Sequence, residues 1–170
     1  MDLRDYIRDI PDFPKPGILF KDITPLLSSP RAFRHAIEKL CEPFRDRPID
    51  AIAAAEARGF LFAAPMALAL ECPLIPLRKP GKLPYETHCD RYDLEYGTAE
   101  LHMHIDAIKH GARVLLVDDV LATGGTMKAG VALIQRGGGV VVGCAFLMEL
   151  GFLGGRKRLE PVEVYSVLRY

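Results

Sequence analysis

Asp118 and Asp119 are separated by two residues, Val120 and Leu121, from Ala122-Thr123-Gly124-Gly125-Thr126, a run of small residues with two hydroxyls. Such a run can turn several backbone N–H groups onto one phosphate, and the adjacent carboxylates can accept hydrogen bonds from hydroxyls. A phosphate beside two acids suits a ribose phosphate. Alone, the acid pair could equally be loop solvation; its place before a Thr-Gly-Gly-Thr turn favours function. The loop does not end in Gly-Lys-Ser/Thr, and no G-x-G-x-x-G is present. Triphosphate binding by a P-loop and dinucleotide binding by a Rossmann fingerprint are therefore disfavoured.

Cations fall at comparable junctions. Arg58 closes Glu56-Ala57-Arg58, ahead of Gly59, and reads either as an ordinary surface arginine or as part of a site. Arg78, Lys79 and Lys82 surround the Pro80-Gly81 turn. The polar run Tyr85 to Tyr96 holds Glu86, Asp90, Asp93 and Glu95 and lacks a core pattern. It is a solvated hairpin or a mobile cover over an anionic substrate, since long loops in compact domains are often functional. His102 and His104 share one face of an alternating segment, Thr98 to Ile105, but no third ligand is spaced to complete a metal site, so a solvated strand face is the reading.

The elements that hold these residues alternate in type. Val114 to Val117 is a continuous aliphatic run, expected as a strand buried on both faces that ends at the acid pair. Asp50–Ala55, Pro73–Leu77, Val140–Met148 and Val162–Leu168 are further strands. Helices are expected over Ser29–Phe44, where Ser29-Pro30 suits a cap and first turn, over Phe60–Leu70, and after Gly125 until Gly137-Gly138-Gly139. Met1 to Asp12 has the spacing of a short amphipathic helix stopped at Pro11. Phe13 to Gly17 breaks regular structure before Ile18-Leu19-Phe20, an extended piece that covers a core or places Leu19, Phe20 and Lys21 over a flat ligand. Gly151–Glu160 is irregular or briefly helical, and Arg156-Lys157-Arg158 reads as a solvated face. Strands alternating with helices indicate an α/β fold with a mainly parallel central sheet flanked by helices, whose ligands sit beyond the carboxyl ends of the strands. Glu56-Ala57-Arg58, Arg78-Lys79 and Asp118-Asp119 all fall there.

The bulk properties exclude other classes. The chain of 170 residues suits one domain over 1–170 and is long enough for a sizeable core. It has 22 basic and 22 acidic residues, which argues against a broad nucleic-acid surface. No apolar run approaches the ~18–20 residues of a membrane span. Cys41, Cys72, Cys89 and Cys144 form no C-x-x-C pair, and reduced thiols in a cytoplasmic protein are expected, with Cys72 and Cys144 buried.

Val114-Leu-Leu-Val-Asp-Asp-Val-Leu-Ala-Thr-Gly-Gly-Thr126 resembles the phosphoribosyl pyrophosphate (PRPP) signature of the type I phosphoribosyltransferases. Further landmarks resemble the adenine-using branch of that family: Phe13-Pro-Lys-Pro-Gly-Ile-Leu-Phe-Lys-Asp-Ile-Thr-Pro25, Glu56-Ala-Arg-Gly-Phe-Leu-Phe62, Arg78-Lys-Pro-Gly-Lys-Leu-Pro84 and Asp93-Leu-Glu-Tyr-Gly-Thr98. They fall in family order across nearly the whole chain. The resemblance implies the type I fold, with a small N-terminal hood over residues 1–35 and a mobile catalytic loop over 79–97. It implies purine salvage: adenine and PRPP give AMP and pyrophosphate with Mg²⁺, the metal held by substrate and water. By resemblance, Asp118 and Asp119 hold the ribose hydroxyls, and Ala122, Thr123, Gly124, Gly125 and Thr126 the 5′-phosphate. Ala57 and Arg58, at a turn strained in the family, bind pyrophosphate with Lys79 and Lys82, and Arg78 reaches the neighbouring site of a homodimer. Leu19, Phe20 and Lys21 meet adenine, and Glu95 is the catalytic acid/base. Lysine at position 21, where some members carry arginine, keeps the charge and loses the planar fork. Other purines, such as hypoxanthine, guanine or xanthine, and a non-catalytic PRPP-sensing regulator are the alternatives.

Overall fold

The computed structural model describes residues 1–93 and 97–170. Contacts group the chain into two units, Met1–Lys39 and Leu40–Tyr170.

In the first unit, strand β1 (Arg8–Pro11) pairs antiparallel with β2 (Leu19–Asp22), Ile10 opposite Phe20. The helix expected over Met1–Asp12 is replaced by a 3-10 turn, Leu3–Tyr6, and then this strand. The β-branched Ile10 pairs across the ladder, so tertiary pairing overrides the helical spacing. Phe13 and Phe20 meet edge to face with ring centroids 5.0 Å apart. Arg8 reaches Asp22 at 2.7 Å and Lys21 Nζ reaches Asp9 Oδ1 at 2.6 Å. A short helix α1 (Thr24–Leu27) precedes α2 (Pro30–Cys41), which follows the Ser29-Pro30 signal; the Ala32 N–H donates to Ser29 Oγ at 3.3 Å.

The second unit is a five-stranded, wholly parallel sheet, ordered β4 (Leu74–Leu77), β3 (Ala51–Ala55), β7 (Arg113–Leu121), β8 (Val140–Glu149), β9 (Val164–Arg169). Helix α3 (Gly59–Ala69) links β3 to β4, and α4 (Gly125–Arg136) links β7 to β8. These crossovers run in opposite directions from neighbouring strands, so right-handed connections put α3 and α4 on opposite faces. A crevice opens between the carboxyl ends of β3 and β7, where the strand order reverses. Both faces of the central strands are buried; alternate residues Ala51, Ala53, Val114 and Leu116 share a core with Leu133 and Ile134 of α4.

β7 runs through the acid pair and ends at Leu121, because its register with β8 continues past Asp118 opposite Phe146 and Val120 opposite Met148. Both aspartates are therefore strand residues. The polar run after Tyr85 is mostly a hairpin: β5 (Thr87–Asp93) pairs antiparallel with β6 (Thr98–His104) in a seven-residue register. Leu101 and Met103 point into the core, whereas Ile105, expected beside them, lies past the strand's end and is 38% exposed. The turn after Leu150 carries a short helix, α5 (Gly155–Leu159). Cys41 and Cys144 are buried; Cys72, expected buried, is only half-buried at the end of α3's connection, and all four thiols are free. Among the described residues no helix is long and apolar enough to cross a membrane.

Candidate active site

At the switch point lies a cavity of about 360 Å³, lined by Glu56, Ala57, Arg58, the run Asp118 to Met127, and Phe146. β3 delivers the first three residues and β7 the acids, and the β7–α4 junction forms the small-residue loop. Gly124, the residue ahead of α4, has φ +82°, a left-handed conformation that a side chain would strain, and a Cβ there would sit 2.9 Å from the Gly155 carbonyl oxygen. Gly125 then opens a helix of 12 residues whose first N–H groups face the cavity with the positive end of its dipole.

The two acids differ in setting. Asp119 is 4% exposed and pairs with Arg58, whose Nε is 2.8 Å from Asp119 Oδ2. Asp118 Oδ1 accepts the Asp119 N–H at 2.8 Å, and a Cβ on Gly59 would come within 2.9 Å of that oxygen. The start of α3 thus needs glycine to approach β7. Burial, and then the Asp119 charge, push the Asp118 carboxyl well above the usual carboxylate range. Arg58 is no solitary surface cation.

Glu56, which the sequence places at a strand end without a role of its own, is the anchor of the cationic turn. Its Oε1 accepts the Lys79 N–H at 2.8 Å and lies 3.2 Å from Arg78 Nε; the Lys79 contact holds its carboxyl below the ordinary value. The Glu56–Ala57 peptide is cis. The Lys82 N–H closes the turn on the Lys79 carbonyl, and both lysines are exposed. Phe146 was also missed; only the β7–β8 register, which sets it opposite Asp118, reveals its place.

A second support lies under the loop. Gly155 is so close that a Cβ there would be 2.3 Å from the Ala122 carbonyl oxygen. Its neighbour Arg156 forks onto Glu149 at 3.0 and 2.6 Å and donates to the Val164 carbonyl at 2.6 Å, while Ser166 Oγ donates to Glu149 at 2.9 Å. Arg156 is thus an internal brace and leaves the solvated face expected of it. Arg158 Nη1 comes within 3.7 Å of the point a Cβ would take on Gly125, which adds a cation beside the loop.

Of the other residues singled out in the sequence, Leu19, Phe20 and Lys21 belong to β2 of the first unit, with Leu19 48% exposed. Glu95 lies outside the described residues.

A model of the phosphoribosyl transferase domain matches residues 22–168. Adenine phosphoribosyltransferase of Kosmotoga olearia is 58% identical over 170 residues, covering 100% of each chain. A crystal structure of adenine phosphoribosyltransferase from Thermoanaerobacter pseudethanolicus superposes with a TM-score of 0.96 at 51% identity, covering 99% of this chain and 98% of that one. The Saccharomyces cerevisiae adenine phosphoribosyltransferase, solved with an imino-altritol bisphosphate and adenine, superposes with a TM-score of 0.92 at 38% identity, covering 97% and 96%.

Proposed function

Because the chain belongs to the phosphoribosyl transferase domain family and, within it, to the adenine phosphoribosyltransferases, we propose that it transfers the 5-phosphoribosyl group of PRPP to adenine, giving AMP and pyrophosphate. The observation that carries this reading is the juxtaposition of the loop, the acid pair and Arg58 in one cavity at the switch point. The loop N–H groups and the α4 N-terminus hold the 5′-phosphate. Asp118 and Asp119 accept hydrogen bonds from the ribose hydroxyls. Displacing pyrophosphate from the sugar builds positive charge on the ribose and negative charge on the leaving group. Arg58, Lys79 and Lys82, with the Ala57 backbone, meet that negative charge as it forms.

Mg²⁺ fits the donor set: the carboxylates, hydroxyls and carbonyls around the cavity are hard oxygen groups, with no thiol or imidazole among the lining residues. Asp119 is engaged by Arg58, so substrate oxygens and water hold the ion. When bound, Mg²⁺ shields the charge growing on pyrophosphate.

Adenine recognition is assigned to Leu19, Phe20 and Lys21, and proton transfer from the attacking base to Glu95. Lys21 keeps its ammonium on Asp9, which suits a fixed positive field better than a bidentate contact. A homodimer completes the site with Arg78 from the neighbour. Its support is α3, apolar around its whole circumference, with Leu68 82% and Leu61 43% exposed; a helix of that composition is normally covered on all sides. The reaction is placed in the cytoplasm.

The test is product formation from PRPP and Mg²⁺ with adenine, hypoxanthine, guanine and xanthine in competition. AMP should dominate; preference for another base would redirect the substrate, and PRPP binding without any turnover would favour the sensing regulator. Glu95→Ala should cut turnover far more than PRPP affinity, and unchanged turnover would remove Glu95 from its role.

A further inference from the structure

The β5–β6 hairpin brings together three ligand-type side chains that are separated in sequence. Cys89 lies directly opposite His102 in the antiparallel register, and Glu100, two residues before His102, shares the same face by strand alternation. One ligand atom from each falls within 4.8 Å of the others, and all three residues are half-buried. We propose that Cys89, Glu100 and His102 form a metal site of the zinc class, taking a borderline-soft divalent cation through thiolate, carboxylate and imidazole, with solvent in the fourth position.

The spacing fits a tetrahedral ion. His102 Nε2 and Glu100 Oε2 are 3.2 Å apart, close to the ~3.3 Å edge that bonds of about 2.0–2.1 Å make around tetrahedral zinc. Both side chains are already oriented from behind. His102 Nδ1 meets Thr87 Oγ1 at 2.9 Å, which leaves Nε2 to point at the site. Arg91 Nε donates to Glu100 Oε1 at 2.5 Å, which turns Oε2 toward His102. Outer partners of this kind are what fix metal-bound histidines and carboxylates. The backbone of Cys89 is tied down as well, since Arg136 Nη1 donates to its carbonyl.

Chemistry separates this site from the oxygen-lined cavity. Sulfur and nitrogen donors select zinc-like ions over Mg²⁺. Among the described residues Cys41, Cys72 and Cys144 belong to no such cluster of ligand atoms, and Cys41 and Cys144 are buried. Binding expels the Cys89 proton to solvent, leaves the neutral imidazole proton on His102 Nδ1 with Thr87 Oγ1 accepting it, and replaces the Glu100–His102 contact with two bonds to the metal. An ion there would clamp β5 to β6 at a point within the hairpin.

Equilibrium dialysis of the reduced, tag-free full chain against Zn²⁺, with Mg²⁺ in large excess, tests this without PRPP or adenine. A failed transferase assay therefore leaves it untouched. One zinc per chain is expected, with affinity lowered roughly tenfold or more in Cys89→Ser and His102→Ala. Glu100→Gln serves should His102→Ala not fold, as judged by circular dichroism. Co²⁺ loading should give a thiolate-to-cobalt charge-transfer band that Cys89→Ser abolishes. No zinc uptake, or uptake unchanged in the folded variants, overturns the proposal.

Discussion

Arg58 Nε sits 2.8 Å from Asp119 Oδ2, so a cation assigned to pyrophosphate and an acid assigned to ribose neutralise each other across the crevice. On the proposed roles the pair exchanges partners when a sugar pyrophosphate enters, Asp119 turning to hydroxyls and Arg58 to the leaving group. Its attraction holds in place an acid that is only 4% exposed.

Removing the cation therefore has two effects. Arg58→Ala is expected to raise KM for PRPP about 10–100-fold. It should also cost about 1–2 kcal/mol of stability, a figure reduced because the Arg58 side chain is 46% exposed. Steady-state kinetics and thermal melts report the two separately, and an unaltered KM would remove Arg58 from pyrophosphate binding.

Asp118 predicts a trade between stability and binding. A carboxyl whose folded-state pKa is raised binds more protons folded than unfolded. Its contribution is fully present below the unfolded value of about 3.9 and is lost as pH rises through the folded one. Asp118→Asn keeps an oxygen for the Asp119 N–H and removes this loss. It should raise the melting temperature at neutral pH by about 2–4 °C and weaken PRPP binding about tenfold or more. Calorimetry across pH and PRPP titration check both; a lower melting temperature would contradict the assigned setting.

Gly155→Ala should displace the phosphate loop, since the new Cβ would fall 2.3 Å from the Ala122 carbonyl oxygen. The backbone, and not a flexible side-chain tip, has to yield. We expect KM for PRPP to rise at least about tenfold while adenine affinity, measured by direct binding, changes little. An equal loss for both ligands would point to general unfolding.

Glu149 acts in the opposite pH direction from Asp118. Arg156, foremost, and Ser166 hold its carboxyl below the ordinary value. Its stabilisation is present above the unfolded value of about 4.3 and is lost as pH falls through the folded one. Glu149→Gln should cost about 2 kcal/mol near neutrality and flatten the acid limb of a denaturation profile. An acid limb as steep as in the parent protein would assign acid unfolding to other carboxylates.

What could be read from the sequence follows the range of the interactions concerned. The α4 loop and its glycines were legible because local backbone geometry dictates them, and Ser29-Pro30 marked α2 for the same reason. Buried strands such as Ala51–Ala55 were legible as continuous apolar runs. Contacts between distant segments were not. Glu56 is an anchor only because Arg78 and Lys79 come to it from the turn after β4, and Arg156 turns inward only because β8 presents Glu149. The end of β7 was misplaced because pairing with β8, and not side-chain type, carries the strand through two aspartates. In the first unit, a ladder between β1 and β2 overrode a helical pattern.

The last turn of α4 also holds the hairpin: Arg136 donates to the Cys89 carbonyl and pairs with Asp90 at 3.2 Å. Twelve residues make a rod of about 18 Å. The helix that starts in the phosphate loop thus ends on the strand leading to residue 94. Opening of the whole helix would release both ends at once, so amide exchange there is expected to show one opening rate. A common exchange rate would make the small-residue loop and the hairpin one foldon, and independent rates would separate them.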